Sequence, residues 1–167
     1  GFSIYDLIFF ETLARVYLPR RIIVKSDDFG WNALCLGKLF PNAKVTSTRG
    51  LGGTANDDMF IALSNAVADK LSLNCQFTKA EFRDLYNDQG GSQVDLVVFS
   101  GVRNSTNLEA EINFIRRSSA SLPTIIIWNI GGDGLWPAFQ EMRKAWPGKT
   151  REIDRCSGLG GVFCGTN

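Results

Sequence analysis

The stretch RRIIVKSDDFGWNALCLGKLFPNAKV, residues 20–45, contains the pattern that decides the fold. With the two residues that follow, it predicts a β-branched strand, a polar turn, a helix and a second strand, at Arg21–Lys25, Ser26–Gly30, Trp31–Phe40 and Ala43–Ser47. Two strands joined by a helix of about ten residues are typical of a parallel βαβ unit. This stretch therefore predicts an α/β protein.

The same alternation of strand and helix continues on both sides of that stretch. Further helices are predicted at Ile4–Val16, Asp57–Leu71, Asn107–Ser118 and Trp136–Trp146, and further strands at Leu73–Phe77, Gln93–Ser100 and Thr124–Trp128. Thr78, with Glu81 three residues later, has the spacing of a capping box that opens one more helix.

Two short strands are predicted at the end of the chain, Thr150–Asp154 and Gly161–Cys164. Only a short turn separates them, so they should pair antiparallel. We predict a Rossmann-like, doubly wound, mostly parallel sheet with an antiparallel C-terminal hairpin, in a single domain spanning residues 1–167.

Composition narrows the range of partners. The chain has 167 residues, 44% hydrophobic and 21% charged, with a net charge of +1. This balance gives no global field to attract nucleic acid or an anionic membrane, and the local basic cluster of Arg15, Arg20, Arg21 and Lys25 is predicted to be a solvated face. With no pattern of a signal peptide or a membrane span, the prediction is a cytoplasmic protein that binds neither nucleic acid nor membrane.

Histidine is absent from the sequence. This excludes a histidine general base, a Ser-His-Asp triad and an imidazole metal ligand. The phosphate-binding patterns GxGxxG and GxxxxGK[ST] are also absent. The usual dinucleotide and P-loop chemistries are therefore not predicted.

Ligands of open α/β sheets bind beyond the carboxyl ends of the strands. That rule selects four loops, Ser26–Gly30, Thr48–Asp58, Ser100–Ser105 and Asn129–Gly134. In the third loop, Arg103 either binds an anionic substrate through two hydrogen bonds or is solvated. In the fourth, Asn129 either hydrogen-bonds a substrate or helps to ligate a metal, although no acidic residue lies beside it. Trp128, just before that loop, either stacks on a ligand ring or packs in the core.

Two pairs of neighbouring aspartates occur at predicted helix starts. Asp27 and Asp28 either cap the helix that follows or receive a cationic or hydroxyl-rich ligand. Asp57 and Asp58 are expected to cap the next helix, with a Mg²⁺ or Ca²⁺ role as the alternative.

Taken with residues 20–45, the stretches VDLVVFSGVRNS, IIIWNIGGDG and SGLGGVF resemble bacterial class I S-adenosylmethionine (SAM)-dependent O-methyltransferase-like proteins, over roughly residues 20–164. The resemblance implies a Rossmann-type fold and SAM as cofactor. It places four cofactor-binding residues in the first loop, Ser26, Asp27, Phe29 and Gly30. It also assigns cofactor contacts to Arg49 and Ser100, and catalytic roles to Arg103 and Asn129.

The chain departs from the family pattern at these same positions. Arg49 follows the second strand where the family has an acidic ribose-binding residue, and the family's Asp-Gly-x-His-like motif is replaced by residues 100–103, SGVR. Asn129 stands where metal-dependent members carry an acidic residue. We therefore predict a methyltransferase-like pseudoenzyme with degenerate cofactor and metal sites, no bound metal and weak or absent catalysis.

Two kinds of function follow from this prediction. A silent domain would bind another small-molecule ligand or a protein partner, and a homo-oligomer is compatible with it. The alternative is an active, metal-independent O- or N-methyltransferase of small molecules, since transfer to a good nucleophile depends mainly on in-line positioning.

Overall fold

The computed structural model describes residues 2–26, 30–48, 57–100, 105–119, 122–128, 135–145, 150–153 and 160–164. Its strands are β1 (Arg21–Ser26), β2 (Lys44–Thr48), β3 (Cys75–Thr78), β4 (Leu96–Ser100), β5 (Thr124–Ile127), β6 (Thr150–Ile153) and β7 (Gly160–Cys164). Its helices are α1 (Ile4–Val16), α2 (Trp31–Leu39), α3 (Asp57–Lys70), α4 (Phe82–Asp88), α5 (Ser105–Ser118) and α6 (Trp136–Ala145).

The strands form one sheet in the order β3-β2-β1-β4-β5-β7-β6. The first five are parallel; Ile23 of β1, for example, is in register with Thr46 of β2 and Val97 of β4. The chain builds outward from β1 to β3 and then returns to place β4 on the other side of β1. This reversal creates the crevice at the carboxyl ends of β1 and β4 where ligands of such sheets bind.

The predicted mostly parallel sheet with flanking helices is confirmed. Strand β7 pairs antiparallel with both β5 and β6. The residues that connect β6 to β7, 154–159, lie outside the described part of the chain, so the closing hairpin stays a prediction.

Both faces of the sheet are buried by helices. Along β1, Ile22 and Val24 face a cluster that includes Phe10 of α1 and Leu36 of α2. Ile23, between them, faces the opposite cluster, which α4, α5 and α6 supply. Burial on both faces explains why the central strands are continuous apolar runs rather than alternating ones.

Two local expectations about boundaries were wrong. Helix α4 begins at Phe82 with Glu81 at its N-cap, so Thr78 does not cap it. The Thr78 hydroxyl instead accepts a hydrogen bond of 3.1 Å from the Ala80 N–H, a local turn that competes with helix capping. The strand predicted from Gln93 begins only at Leu96, because Gly91–Gln93 form a 3₁₀ turn.

The basic cluster is not a uniformly solvated face. Lys25 has a side chain only 15% exposed, and its Nζ lies 2.9 Å from Oε1 of Glu111 on α5. The ammonium also lies 5.7 Å from the centroid of the Phe82 ring. Because Lys25 follows Val24 in a central strand, its side chain enters the helix layer, where an acidic partner offsets the cost of burying the charge.

Candidate functional site

An open cavity lies at the carboxyl ends of β1, β2 and β3, beneath the first half of α3. It is open to solvent, and its lining residues are Ser26, Gly30, Ser47, Asp57, Phe60, Ile61, Ser64, Phe77 and Thr78. The parallel register brings the ends of β1, β2 and β3 to the same edge of the sheet. The cavity therefore lies on the edge that the sequence rule selects.

Gly30 forms the floor of the cavity beside α2. Its φ of +88° is a left-handed conformation, and a Cβ atom there would lie 2.5 Å from Cε1 of Phe77 and 3.0 Å from the Ser64 hydroxyl oxygen. Only glycine fits such a position without strain. Gly30, rather than Asp27 or Asp28, occupies the N-cap of α2.

A partly buried asparagine of α3 holds the Phe77 backbone in place. The Asn65 carboxamide oxygen accepts a 2.9 Å hydrogen bond from the Phe77 N–H, and its nitrogen donates to the Phe77 carbonyl at 3.2 Å. The N–H and the carbonyl of Phe77, which lies in the edge strand β3, are thus both paired with α3. The Phe77 ring consequently has a fixed position against Gly30.

The lining combines hydroxyl groups, aromatic rings and one carboxylate. Ser26 and Ser47 end neighbouring strands, and Phe60 and Phe77 supply the rings. Asp57, the first residue of α3, is 6% exposed and is the one charged residue among the lining residues that the structure describes. Such a surface suits a ligand with a flat ring and hydroxyl groups.

The edge at β4 and β5 is built differently. Asn32 of α2 donates a side-chain hydrogen bond to the Ser100 hydroxyl at the end of β4 and accepts one of 2.7 Å from the Phe2 N–H. The Phe2 ring centroid lies 5.0 Å from that of Trp128, just after β5, and 4.8 Å from that of Phe10. We call Phe2, Asn32, Ser100 and Trp128 the Phe2 cluster.

Ser3 and Asp6 fix the start of α1 next to the Phe2 cluster. The buried Asp6 carboxylate accepts hydrogen bonds from the Ser3 N–H at 2.6 Å and from the Ser3 hydroxyl at 2.7 Å. These contacts constrain the chain immediately after Phe2. The segment before α1 is thus tied to the ends of β4 and β5.

The structure separates the described candidate residues into two groups. Ser26 and Gly30 line the cavity. Ser100 belongs instead to the Phe2 cluster. The other predicted site residues, Asp27, Phe29, Arg49, Arg103 and Asn129, lie outside the described residues.

The sequence analysis missed several residues of this edge. Asp57, in the predicted ligand loop Thr48–Asp58, was expected to cap α3, and the structure places it in the lining of the cavity. Ser47 ends β2, and the rule about carboxyl ends could have selected it. Phe2 and Asn32 carried no local signal, because only the tertiary structure brings them to Ser100. For Trp128, the core-packing interpretation is the one that its contacts support.

Two searches of the described residues gave negative results. No group of three or more Cys, Asp or Glu side chains in that part of the chain is arranged to hold a metal ion. Among the same residues, no helix has the length and apolar character needed to cross a membrane.

Comparison with known proteins identifies the fold of the chain but no family or curated relative by sequence. No protein-family model and no curated protein matches the chain. Solved structures do match. A Staphylococcus aureus protein named for caffeoyl-CoA O-methyltransferase superposes with a TM-score of 0.75 at 10% identity, covering 99% of this chain and 85% of that one.

Two further matches were solved with ligands of the methyl-transfer reaction. An O-methyltransferase from Bacillus cereus in complex with S-adenosylhomocysteine (SAH) gives a TM-score of 0.68 at 13% identity, covering 98% of this chain and 83% of that one. The O-methyltransferase TomG from Streptomyces achromogenes, in complex with SAM, gives 0.68 at 12% identity, covering 97% and 79%. The chain therefore has the class I methyltransferase fold.

Proposed function

We propose that this chain is a SAM-dependent methyltransferase-like domain that holds the nucleoside part of the cofactor in the cavity over β1, β2 and β3, and that its methyl transfer is weak or absent. The cavity itself carries the proposal. It lies on the carboxyl edge of a sheet with the class I methyltransferase strand order.

The residues present fit a nucleoside. Gly30 lets the Phe77 ring pack against its backbone, and the rings of Phe60 and Phe77 offer apolar surface for a base. The Asp57 carboxylate and the hydroxyl of Ser26 are hydrogen-bonding groups for a sugar. When bound, SAM would supply the activated methyl group, and these residues would hold its nucleoside.

Weak catalysis is supported by the Phe2 cluster. A methyl acceptor would approach along the edge beside the nucleoside, toward β4 and β5. There Ser100 accepts a hydrogen bond from Asn32, and the Phe2 ring lies against Trp128. These side chains pack against one another, and none is an ionisable group that could act as a general base.

Calorimetric titration with SAM and SAH tests the proposal. We expect both to bind with dissociation constants weaker than about 10 μM, because the acidic residue usual after β2 is replaced by Arg49. A folded protein that binds neither compound would refute the proposal. The Gly30→Ala variant shows whether binding depends on the cavity, since a methyl group there would displace Phe77 and deform the cavity.

The alternative is an active, metal-independent O- or N-methyltransferase. Transfer of radiolabelled methyl groups from SAM to a panel of phenols and amines distinguishes it from a silent domain. We expect rates close to those of a boiled control. Sustained turnover in the presence of EDTA would favour the active enzyme. Arg103 and Asn129 would then be the first residues to mutate.

A protein partner is a further candidate, supported by one surface of α1. Ile4, Tyr5 and Ile8 are large apolar residues in its first two turns, and all three are exposed. An apolar helix face of this kind is typical of contact surfaces. Light scattering after size exclusion would detect a homo-oligomer, and a monomer at high concentration would leave a different protein as the partner to seek.

We also propose that the domain acts in the cytoplasm.

A further inference from the structure

The two helix layers that cover the sheet differ in what they expose. Among the described residues, nearly every exposed large apolar side chain lies on or beside α1, α2 and α3. On the described part of the opposite layer, α4 to α6, the one exposed large apolar residue is Trp136, whose ring centroid lies 5.9 Å from that of Phe139. An apolar surface confined to one layer is typical of a contact surface, since exposed apolar residues without such a role are scattered singly.

The apolar side chains of the α1–α3 layer are concentrated near the carboxyl edge of the sheet. Helices α1 and α3 lead into the start of a strand and α2 follows the end of one, so all three helices begin at that edge. The residues concerned are exposed and lie in the first two turns of their helices; we call them the apolar band, Ile4, Tyr5, Ile8, Trp31, Met59 and Leu63.

We infer that the apolar band is the centre of a homodimer interface, in which a second copy of this chain packs its own α1–α3 layer against it. A two-fold interface uses the same patch on both subunits, so one self-complementary surface is sufficient. The inference extends the contact surface of α1 to the whole layer and names its occupant. It does not depend on what the cavity binds.

The size of the layer is that of one side of a dimer interface. Helices α1 and α3 have 13 and 14 residues, and with the usual rise per residue each is about 20 Å long. Three neighbouring helices at ordinary packing distances are about 25–30 Å wide. The layer thus spans roughly 500–600 Å² in projection, and more as accessible surface. A stable interface uses about 800 Å² of accessible surface from each partner.

The charges of the layer favour an identical partner over a membrane. The exposed charged side chains of the three helices balance, three acidic and three basic: Glu11, Asp58, Asp69, Arg15, Lys38 and Lys70. A surface with no net charge does not repel a copy of itself. A helix layer that binds an anionic membrane would instead carry an excess of Lys and Arg around its apolar face.

One pair of matched variants tests which layer forms the interface. Ala66→Lys places a charge on the exposed face of α3, and Ala110→Lys makes the same change on the exposed face of α5. Lysine is nearly as good a helix former as alanine, so both variants should fold, and circular dichroism melts check this. Light scattering after size exclusion and sedimentation at several concentrations measure the mass and the dissociation constant of the dimer.

We expect wild type and Ala110→Lys to have twice the mass of one chain at about 10 μM. Ala66→Lys should raise the dissociation constant about 100-fold, roughly tenfold for each of the two charges that the dimer would bury. Ile8→Lys applies the same test to α1 and should have a similar effect, whereas Ile8→Leu, which keeps the apolar surface, should leave the dimer unchanged.

Three results would overturn the inference. The first is a wild type that stays monomeric up to about 100 μM, which would leave a different protein as the partner. The second is a dimer that Ala110→Lys weakens as much as Ala66→Lys does, which would place the interface elsewhere. The third is a monomer that sediments with phosphatidylcholine vesicles, which would assign the apolar band to a membrane surface.

Calorimetry with SAH on the same wild-type sample separates this inference from the proposed function. A dimer that does not bind SAH refutes the proposed function and leaves the interface standing. A monomer that binds SAH refutes the interface and leaves the cofactor site standing.

Discussion

The two halves of the carboxyl edge differ in what fills them. Over β1, β2 and β3 the strand ends and α3 leave an open cavity lined by hydroxyl groups, rings and Asp57. Over β4 and β5 the Phe2 cluster fills the edge with aromatic rings and a buried amide. One half has the features of a binding site and the other those of a core. Under the proposed function, the open half would hold the nucleoside, and a second reactant would have to approach the half that the Phe2 cluster occupies.

The strongest test of the open half replaces Gly30 with alanine. The left-handed φ and the contact with Phe77 should together destabilise the protein by about 2–4 kcal/mol. Urea denaturation measures the change. Gly90→Ala is the matched control, because Gly90 also has a positive φ but its new Cβ would have no neighbour closer than 3.6 Å; it should lose only about 1 kcal/mol. Equal losses would mean that contact with Phe77 does not constrain Gly30.

The corresponding test of the closed half is Phe2→Ala. Removing this ring from Phe10 and Trp128 should cost about 2–3 kcal/mol, less than for a phenylalanine deep in the core because Phe2 lies near the start of the described chain. Thermal melts measure the loss. Phe2→Leu, which keeps apolar volume, should lose less than half as much. An unchanged melting temperature in Phe2→Ala would show that the first residues do not hold the β4–β5 edge.

A smaller effect is expected for Asn32→Ala, which breaks the polar part of the same half. The change leaves the Phe2 N–H and the buried Ser100 hydroxyl each without a hydrogen-bond partner that the structure shows, and should cost about 1–2 kcal/mol. The double variant with Phe2→Ala should lose less than the sum of the two, because both act on one cluster. Additive losses would mean that the ring and the amide act independently.

The smallest expected effect on stability concerns Cys75 of β3, which packs beneath the open half of the carboxyl edge. Burial raises the pKa of the Cys75 thiol from 9.0 to about 11. Because the unfolded chain releases this proton at lower pH, the thiol's contribution to stability is complete below pH 9 and is lost as pH rises toward 11. Cys75→Ala should therefore show a shallower fall in stability over that window.

Alkylation by iodoacetamide, followed by mass spectrometry, checks the same point chemically. Cys75 in the folded protein should react slowly at pH 9 and readily once the protein is unfolded in urea, because the thiolate is the reactive form. Rapid reaction in the folded state would mean that the packing of Cys75 on Gly37, where an added Cβ would lie 2.2 Å from the sulfur, is looser than the structure has it.

Local sequence signals were sufficient for the elements and for the fold class. The runs Ile22–Val24 and Val97–Phe99 are apolar on both faces, and this predicted buried parallel strands between helical stretches. The same signals could not place Thr78, whose hydroxyl either opens a helix or closes a turn. Its hydrogen bond with Ala80 depends on where β3 ends, and that is set by pairing with β2.

What the sequence by itself determined is the alternation of strands and helices, the edge on which a ligand would bind, and the absence of a histidine base. The tertiary structure decided which side chains meet at that edge. Residues as far apart as Gly30 and Phe77, or Phe2 and Ser100, come together only when parallel strands align in register. Periodicity is a property of neighbouring residues in one segment, whereas a binding surface is formed by segments whose separation along the chain carries no local signal.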